Sequence, residues 1–174
     1  MMLVLNKKHM KTTYSNVIIT LCIILMGLNI CVAQVNYTSH HPCTFDIQLP
    51  TSFIFEDAFP EDDNLDICNY YVKWSNNEIL FEVNSNNASR FEYSTMPELY
   101  DAAIKNNKLD ISYKTQKKNW FVISGINKEN KKIVYWKRVL GETFISDLYI
   151  EYPSSSKDLI EPYIGTISKS FISD

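Results

Sequence analysis

Glycine is scarce in this 174-residue chain, with four in all. Gly27, Gly125, Gly141 and Gly165 stand far apart, so no glycine-rich loop exists to cradle a phosphate. Histidine is scarcer still: His9 lies near the start, and His40 and His41 stand side by side before Pro42. A Ser-His-Asp triad or a Cys-His dyad could draw only on that pair, and zinc sites of ordinary His/Cys spacing are out of reach. Two imidazoles on one lead-in segment also make a poor copper or nickel site. Basic excess is missing too, since the net charge is −3, which removes nucleic acid as an expected partner. These absences exclude the common catalytic templates, and the chain is expected to be no enzyme, with no catalytic residues, no cofactor and no metal.

Only one long apolar run is present. Lys7, Lys8 and Lys11 precede the uncharged stretch 17–30, and Cys31-Val32-Ala33 follows. A basic start, an apolar middle and a small last residue make a secretory signal peptide over residues 1–33. Met10-Lys11 could equally open a complete leader. Anchoring is the alternative, but the run falls short of the ~20 residues that span a bilayer. Leu28-Asn29-Ile30-Cys31 is a weak lipobox, because Ile30 is bulky where a small residue belongs. The protein is therefore expected to be exported, periplasmic or secreted, with no membrane span after cleavage. Loss of the three leader lysines makes the remainder three units more negative.

Two cysteines, Cys43 and Cys68, remain beyond the leader, in a compartment where disulfides persist. A Cys43–Cys68 bridge is expected in preference to two buried free thiols, and it would stabilise the fold by roughly 3 kcal/mol.

The pattern after the leader begins with a polar, flexible lead-in over residues 34–42, and a single α+β domain fills 43–174. Phe45, Ile47 and Leu49 alternate with polar residues, which is the period of a half-buried strand ended by Pro50. An acidic connection follows, with Glu56, Asp57, Glu61, Asp62, Asp63 and Asp66. It lacks the spacing and the glycine of a calcium loop, so it reads as a solvated loop. Residues 69–74 and 79–83 read as strands joined at Asn76-Asn77, and residues 84–89 as a loop. Thr95-Met96-Pro97-Glu98 is a helix start with a capping box, and Leu99, Ala102, Ala103 and Ile104 give it an apolar stripe. Strands are expected over 109–114, 120–126, 132–140 and 144–152. A last helix carries Ile160, Tyr163, Ile164, Ile167 and Phe171, with Pro162 awkward unless the helix begins near Asp158 or Glu161. Hairpin-length links make the sheet antiparallel, with helices covering it.

Charge and aromatics supply the remaining candidates. Lys114, Lys117, Lys118, Lys128, Lys131, Lys132, Lys137 and Arg138 crowd one stretch, whereas residues 46–66 carry acids alone. Such a split could steer an anionic partner, although lysines also guard hairpin edges against aggregation. Most of the dense aromatics are core, but Tyr71 and Trp136 share a face with Lys73 and Arg138 and are candidates for an exposed patch. The possible partner surface is thus Lys117, Lys118, Lys128, Lys131, Lys132, Tyr71, Trp136 and Arg138. Asn36-Tyr37-Thr38 and Asn87-Ala88-Ser89 match glycan acceptors, which matters only in a host that glycosylates.

Ser124-Gly125, Ile133-Val134-Tyr135-Trp136, Leu148-Tyr149-Ile150-Glu151-Tyr152-Pro153 and Ile167-Ser168-Lys169-Ser170-Phe171 together resemble the Mog1/PsbP-like superfamily. The resemblance covers about half of the chain after the leader. It implies an antiparallel sheet sandwiched by helices, an α/β/α sandwich, with a short Ser-Phe after the last helix. That family includes a Ran-binding protein, an extrinsic photosystem subunit and many exported bacterial proteins of unknown role, and it has no shared catalytic set. The resemblance and the exclusions point to an exported, non-enzymatic binding or accessory domain for an unknown protein or small ligand. A small-ligand carrier, with a pocket between sheet and helix, is the alternative. Oligomeric state is not addressed by the sequence.

Overall fold

The computed structural model describes residues 35–42, 44–57, 67–73, 78–91, 95–106 and 108–174. The leader, Cys43, Glu61 to Asp66, Trp74, the Asn76-Asn77 turn and Tyr93 lie outside them. From Val35 onward the chain forms one compact unit.

Among the described residues, ten strands and two helices follow one another. They are β1 (Tyr37–His40), β2 (Phe45–Pro50), β3 (Ile54–Asp57), β4 (Ile67–Lys73), β5 (Leu80–Asn87), α1 (Met96–Asn106), β6 (Leu109–Gln116), β7 (Trp120–Asn127), β8 (Ile133–Leu140), β9 (Phe144–Tyr152), α2 (Lys157–Ser170) and β10 (Ile172–Ser173). Seven strands make one antiparallel sheet in the order β3-β4-β5-β9-β8-β7-β6, and β1-β2-β10 make a small second one. The α+β class and the antiparallel sheet agree with the sequence expectation.

Four details differ from it. The expected flexible lead-in holds β1, whose Tyr37 to His40 pair with Pro50 to Ile47 of β2. Four paired residues satisfy backbone groups that polar composition alone would leave to water. β3 forms inside the expected acidic connection and pairs with β4 as an edge strand of the large sheet. Residues 84–87, expected as loop, continue β5 because both neighbours hold them: Asn84, Ser85, Asn86 and Asn87 face Asp147, Ser146, Ile145 and Phe144. Ladder pairing overrides the turn preference of Asn and Ser. α2 begins at Lys157, so Pro162 sits inside it rather than in its first turn.

The start of α1 follows the expected logic with one change. Glu98 reaches back to the Thr95 amide at 3.1 Å, but the Thr95 hydroxyl donates to the same carboxylate at 2.8 Å. Both of the box's polar contacts therefore run through Glu98.

Alternation along the strands divides the core between the two faces of the large sheet. One face buries Val139, Leu148, Ile150 and Tyr152 beneath α2 (Ile160, Ile164, Ile167) and the Phe45, Ile47 and Leu49 side of β2. The other buries Phe121, Ile123, Val134 and Ile145 beneath Met96, Leu99 and Ala103 of α1. α1 packs on the β6–β8 end of its face. Over β4, β5 and β9 that same face is left for Asn69, Tyr71, Glu82, Asn84 and Tyr149.

Candidate partner-binding face

Register defines the uncovered region. Across β4, β5, β9 and β8, Tyr71 faces Glu82, Glu82 faces Tyr149, and Tyr149 faces Trp136. Two residues along the strands, Asn69 faces Asn84, Asn84 faces Asp147, and Asp147 faces Arg138. Even spacing puts both rows on the α1 side of the sheet. Three strand-to-strand steps give each row a span of about 14 Å.

The β8 end of these rows is tightly built. The Arg138 Nε and NH2 groups donate to the two Asp147 carboxylate oxygens at 2.8 and 2.7 Å, and the Trp136 indole N–H donates to Asp147 at 2.7 Å. The Arg138 guanidinium lies 5.0 Å from the Trp136 ring centre and 5.4 Å from that of Phe91. A bidentate pair with side chains only 16 % and 9 % exposed is a structural clamp. Arg138 is thus on the expected face, but it is consumed internally.

The β5 end is built loosely. Tyr71 is 42 % exposed, and Glu82, Asn84 and Tyr149 are half-buried. The Glu82 carboxyl forms no hydrogen bond or ion pair with any described side chain. Burial first, and the nearby Glu151 second, push its carboxyl above the ordinary carboxylate range. Glu151 itself is well held: it accepts from Tyr149 Oη at 2.8 Å, Asn130 Nδ2 at 2.7 Å and Asn127 Nδ2 at 3.3 Å. Burial, then the hydrogen bond and charge of Glu151, drive the Tyr149 hydroxyl upward. Glu151 is thus tied down by three donors, and Glu82 lies on an open part of the sheet surface.

Two shallow hollows occupy this region. One, of about 200 Å3, is lined by Asn69, Tyr70, Tyr71, Glu82, Val83 and Asn84. The other, of about 260 Å3, is lined by Glu82, Asn84, Trp136, Asp147 and Tyr149. They meet at Glu82 and Asn84. A third hollow lies at the β8–β9 turn beside Gly141 and Asp174. None of the three lies beneath a helix, where the carrier alternative placed its pocket.

The lysines separate into two tips. Lys117 and Lys118 sit in the turn entering β7, and Lys128, Lys131 and Lys132 in the turn leaving it, at opposite ends of an eight-residue strand. Lys131 adopts a positive φ of 61° and donates from Nζ to the Lys128 carbonyl at 2.8 Å. The expected surface is therefore three regions: two basic tips and the Tyr71–Trp136 row. His41 pairs with Asp46, and His40 packs on the Phe55 ring at 4.8 Å. Among the described residues no cluster of His, Cys, Asp or Glu could hold a metal, and no helix is long and apolar enough to cross a membrane.

Sequence reading named Tyr71, Trp136 and Arg138 but missed Glu82, Tyr149 and Asp147. A signal did exist for the last two: on β9, Asp147, Tyr149 and Glu151 alternate with Ser146, Leu148, Ile150 and Tyr152, marking a polar second face.

No family model matches the chain, and no curated protein matches it. Among solved structures, the solution structure of cyanobacterial PsbP (CyanoP) from Synechocystis sp. PCC 6803 superposes with a TM-score of 0.50 at 9 % identity, covering 84 % of this chain and 96 % of that one. At that identity the likeness concerns the backbone alone, and it agrees with the resemblance seen in the sequence. The chain has a PsbP-like fold.

Proposed function

We propose that this chain is an exported, non-enzymatic binding or accessory domain, and that its partner surface is the uncovered β4–β5–β9–β8 part of the sheet. One observation carries the reading: Tyr71, Glu82, Tyr149 and Trp136 form a continuous cross-strand row that α1 leaves bare at its β4–β5 end. Aromatic rings beside a partly desolvated carboxylate are costly to leave facing water without use. The basic tips are solvated hairpin guards in this reading. Export rests on the leader pattern, and a cleaved product beginning at Gln34 is the expected outcome of N-terminal sequencing.

A Cys43–Cys68 bridge belongs to the same reading. Cys68 is buried and faces Ser85 across the ladder. The Ser85 hydroxyl lies 2.6 Å from that of Thr44, the neighbour of Cys43. That contact, between Thr44 and the strand paired with Cys68, supports the reading. Mass spectrometry of the exported protein without reductant should find no free thiol at either position; two alkylatable thiols would overturn the bridge.

Affinity capture from the producing cells tests the surface. The full chain, a Tyr71→Ser variant and a Lys128/Lys131/Lys132→Gln variant are compared. The reading expects a partner retained by the lysine variant and lost by Tyr71→Ser. Loss with the lysine variant alone would move the surface to the hairpin tip.

A further inference from the structure

Resting on that reading of the sheet face, we infer that its ligand is an arginine-bearing extended segment of a partner protein, with the guanidinium seated on Glu82 between Tyr71 and Tyr149.

Charge sets the class of ligand. Lys73 is committed to Glu56 on the edge strand, and Arg138 is committed to Asp147. Each of these pairs is formally neutral. What is left on this part of the face is Glu82 and Glu151, both acidic, with no described cation against either. Glu151 already accepts from three neutral donors. Glu82 has unused acceptor capacity on both oxygens. The complementary ligand is therefore a cation reaching Glu82.

Ring placement narrows the cation. Tyr71 and Tyr149 flank Glu82 directly in register, and Trp136 follows in the same row. A guanidinium is planar, weakly hydrated, bidentate toward a carboxylate and able to stack on aromatic faces, whereas an ammonium is a strongly hydrated point charge. The Arg138 group already shows this mode on the same face, forked onto Asp147 and lying over Trp136. Shape then selects a chain over a small molecule. Two adjoining hollows, open to solvent, run across four strands and share Glu82 and Asn84. A row of about 14 Å matches roughly four extended residues, and the Asn69 and Asn84 amides offer donors and acceptors for a peptide backbone.

The test uses the full chain and three probes in calorimetric titration: a capped hexapeptide alternating serine and arginine, the same peptide with citrulline for arginine, and free argininamide. The inference expects the arginine peptide to bind at least about tenfold more tightly than either of the others, and to lose about that factor on Glu82→Gln. Glu82→Gln should melt no lower than the parent chain, which separates lost binding from lost folding. Equal binding of the citrulline peptide, unchanged binding by Glu82→Gln, or no binding of any probe would overturn the inference. Argininamide binding as tightly as the peptide would overturn the extended segment and assign a small cation instead. If Tyr71→Ser abolishes partner capture while Glu82→Gln leaves it intact, only the guanidinium assignment fails. If Tyr71→Ser also leaves capture intact, the surface itself is wrong.

Discussion

Each face of the large sheet carries ionisable groups without a counter-ion among the described residues, and one on each face shows how differently they are treated. On the α2 face it is Lys137, only 7 % exposed. Its ammonium donates to the Ser168 and Phe171 carbonyls at 2.6 and 2.8 Å and sits 5.6 and 5.8 Å from the Trp120 and Phe171 ring centres. Those carbonyls end α2, so the helix's negative end supplies the missing partner from within the fold. On the α1 face the group is Glu82, and among the described residues no side-chain donor reaches it. The contrast separates a charge that serves the fold from one that the fold leaves unserved. It also supports the proposed partner surface on the face that α1 covers only in part.

The largest effects should lie on the covered face. Leu148→Ala empties a fully buried position between α2 and the sheet and should cost about 3–5 kcal/mol in chemical denaturation. Tyr71→Ala, on the bare region, should stay within about 0.5 kcal/mol. A comparable loss at both positions would break the comparison. Next comes the boundary between the regions. Asp147→Asn unpairs Arg138 in a largely buried setting and should cost about 3 kcal/mol. That cost would confirm that Arg138 serves the fold rather than a partner.

Acidity sharpens the contrast further. Burial lowers Lys137 from its ordinary 10.5 to about 8. The unfolded chain therefore keeps this proton across a window in which the folded chain has released it, so stability should rise as pH climbs from about 8 toward 10. Its ceiling is one proton, about 1.4 kcal/mol per pH unit. Above that window the Tyr135, Tyr149 and Tyr152 hydroxyls, all pushed upward, turn the trend down, because the unfolded chain ionises first. Melting curves of Lys137→Met should lack the rise.

Glu82 behaves in the opposite sense. Its folded carboxyl lies above its ordinary value, so its favourable contribution is complete at low pH and fades as pH rises through the folded value. At neutral pH Glu82→Gln should stabilise, by no more than about 0.5 kcal/mol because water screens a half-exposed group. A destabilised Glu82→Gln would mean that the carboxylate serves the fold after all.

Much of this architecture was legible locally. The alternating set Phe144, Ser146, Leu148, Ile150 and Tyr152 marked β9, and Thr95 with Glu98 marked the start of α1. What escaped was set by distant chain. β5 runs through Asn84 to Asn87 because β9, some sixty residues later, pairs with it. β1, β3 and β10 are short strands whose pairing, not composition, defines them. The proposed binding row escaped for the same reason. Tyr71 and Trp136 could be placed on exposed faces by spacing, but only the order β4-β5-β9-β8 sets Glu82 and Tyr149 between them. Grouping five lysines by sequence likewise joined two hairpin tips that β7 holds apart.

Residue-resolved NMR during titration of the alternating serine-arginine hexapeptide tests the central claim most directly. Shifts should concentrate at Asn69, Tyr71, Glu82, Asn84 and Tyr149, with Lys117, Lys118 and Lys128 to Lys132 silent. Shifts centred on either lysine turn, or spread along the α2 face, would contradict the account.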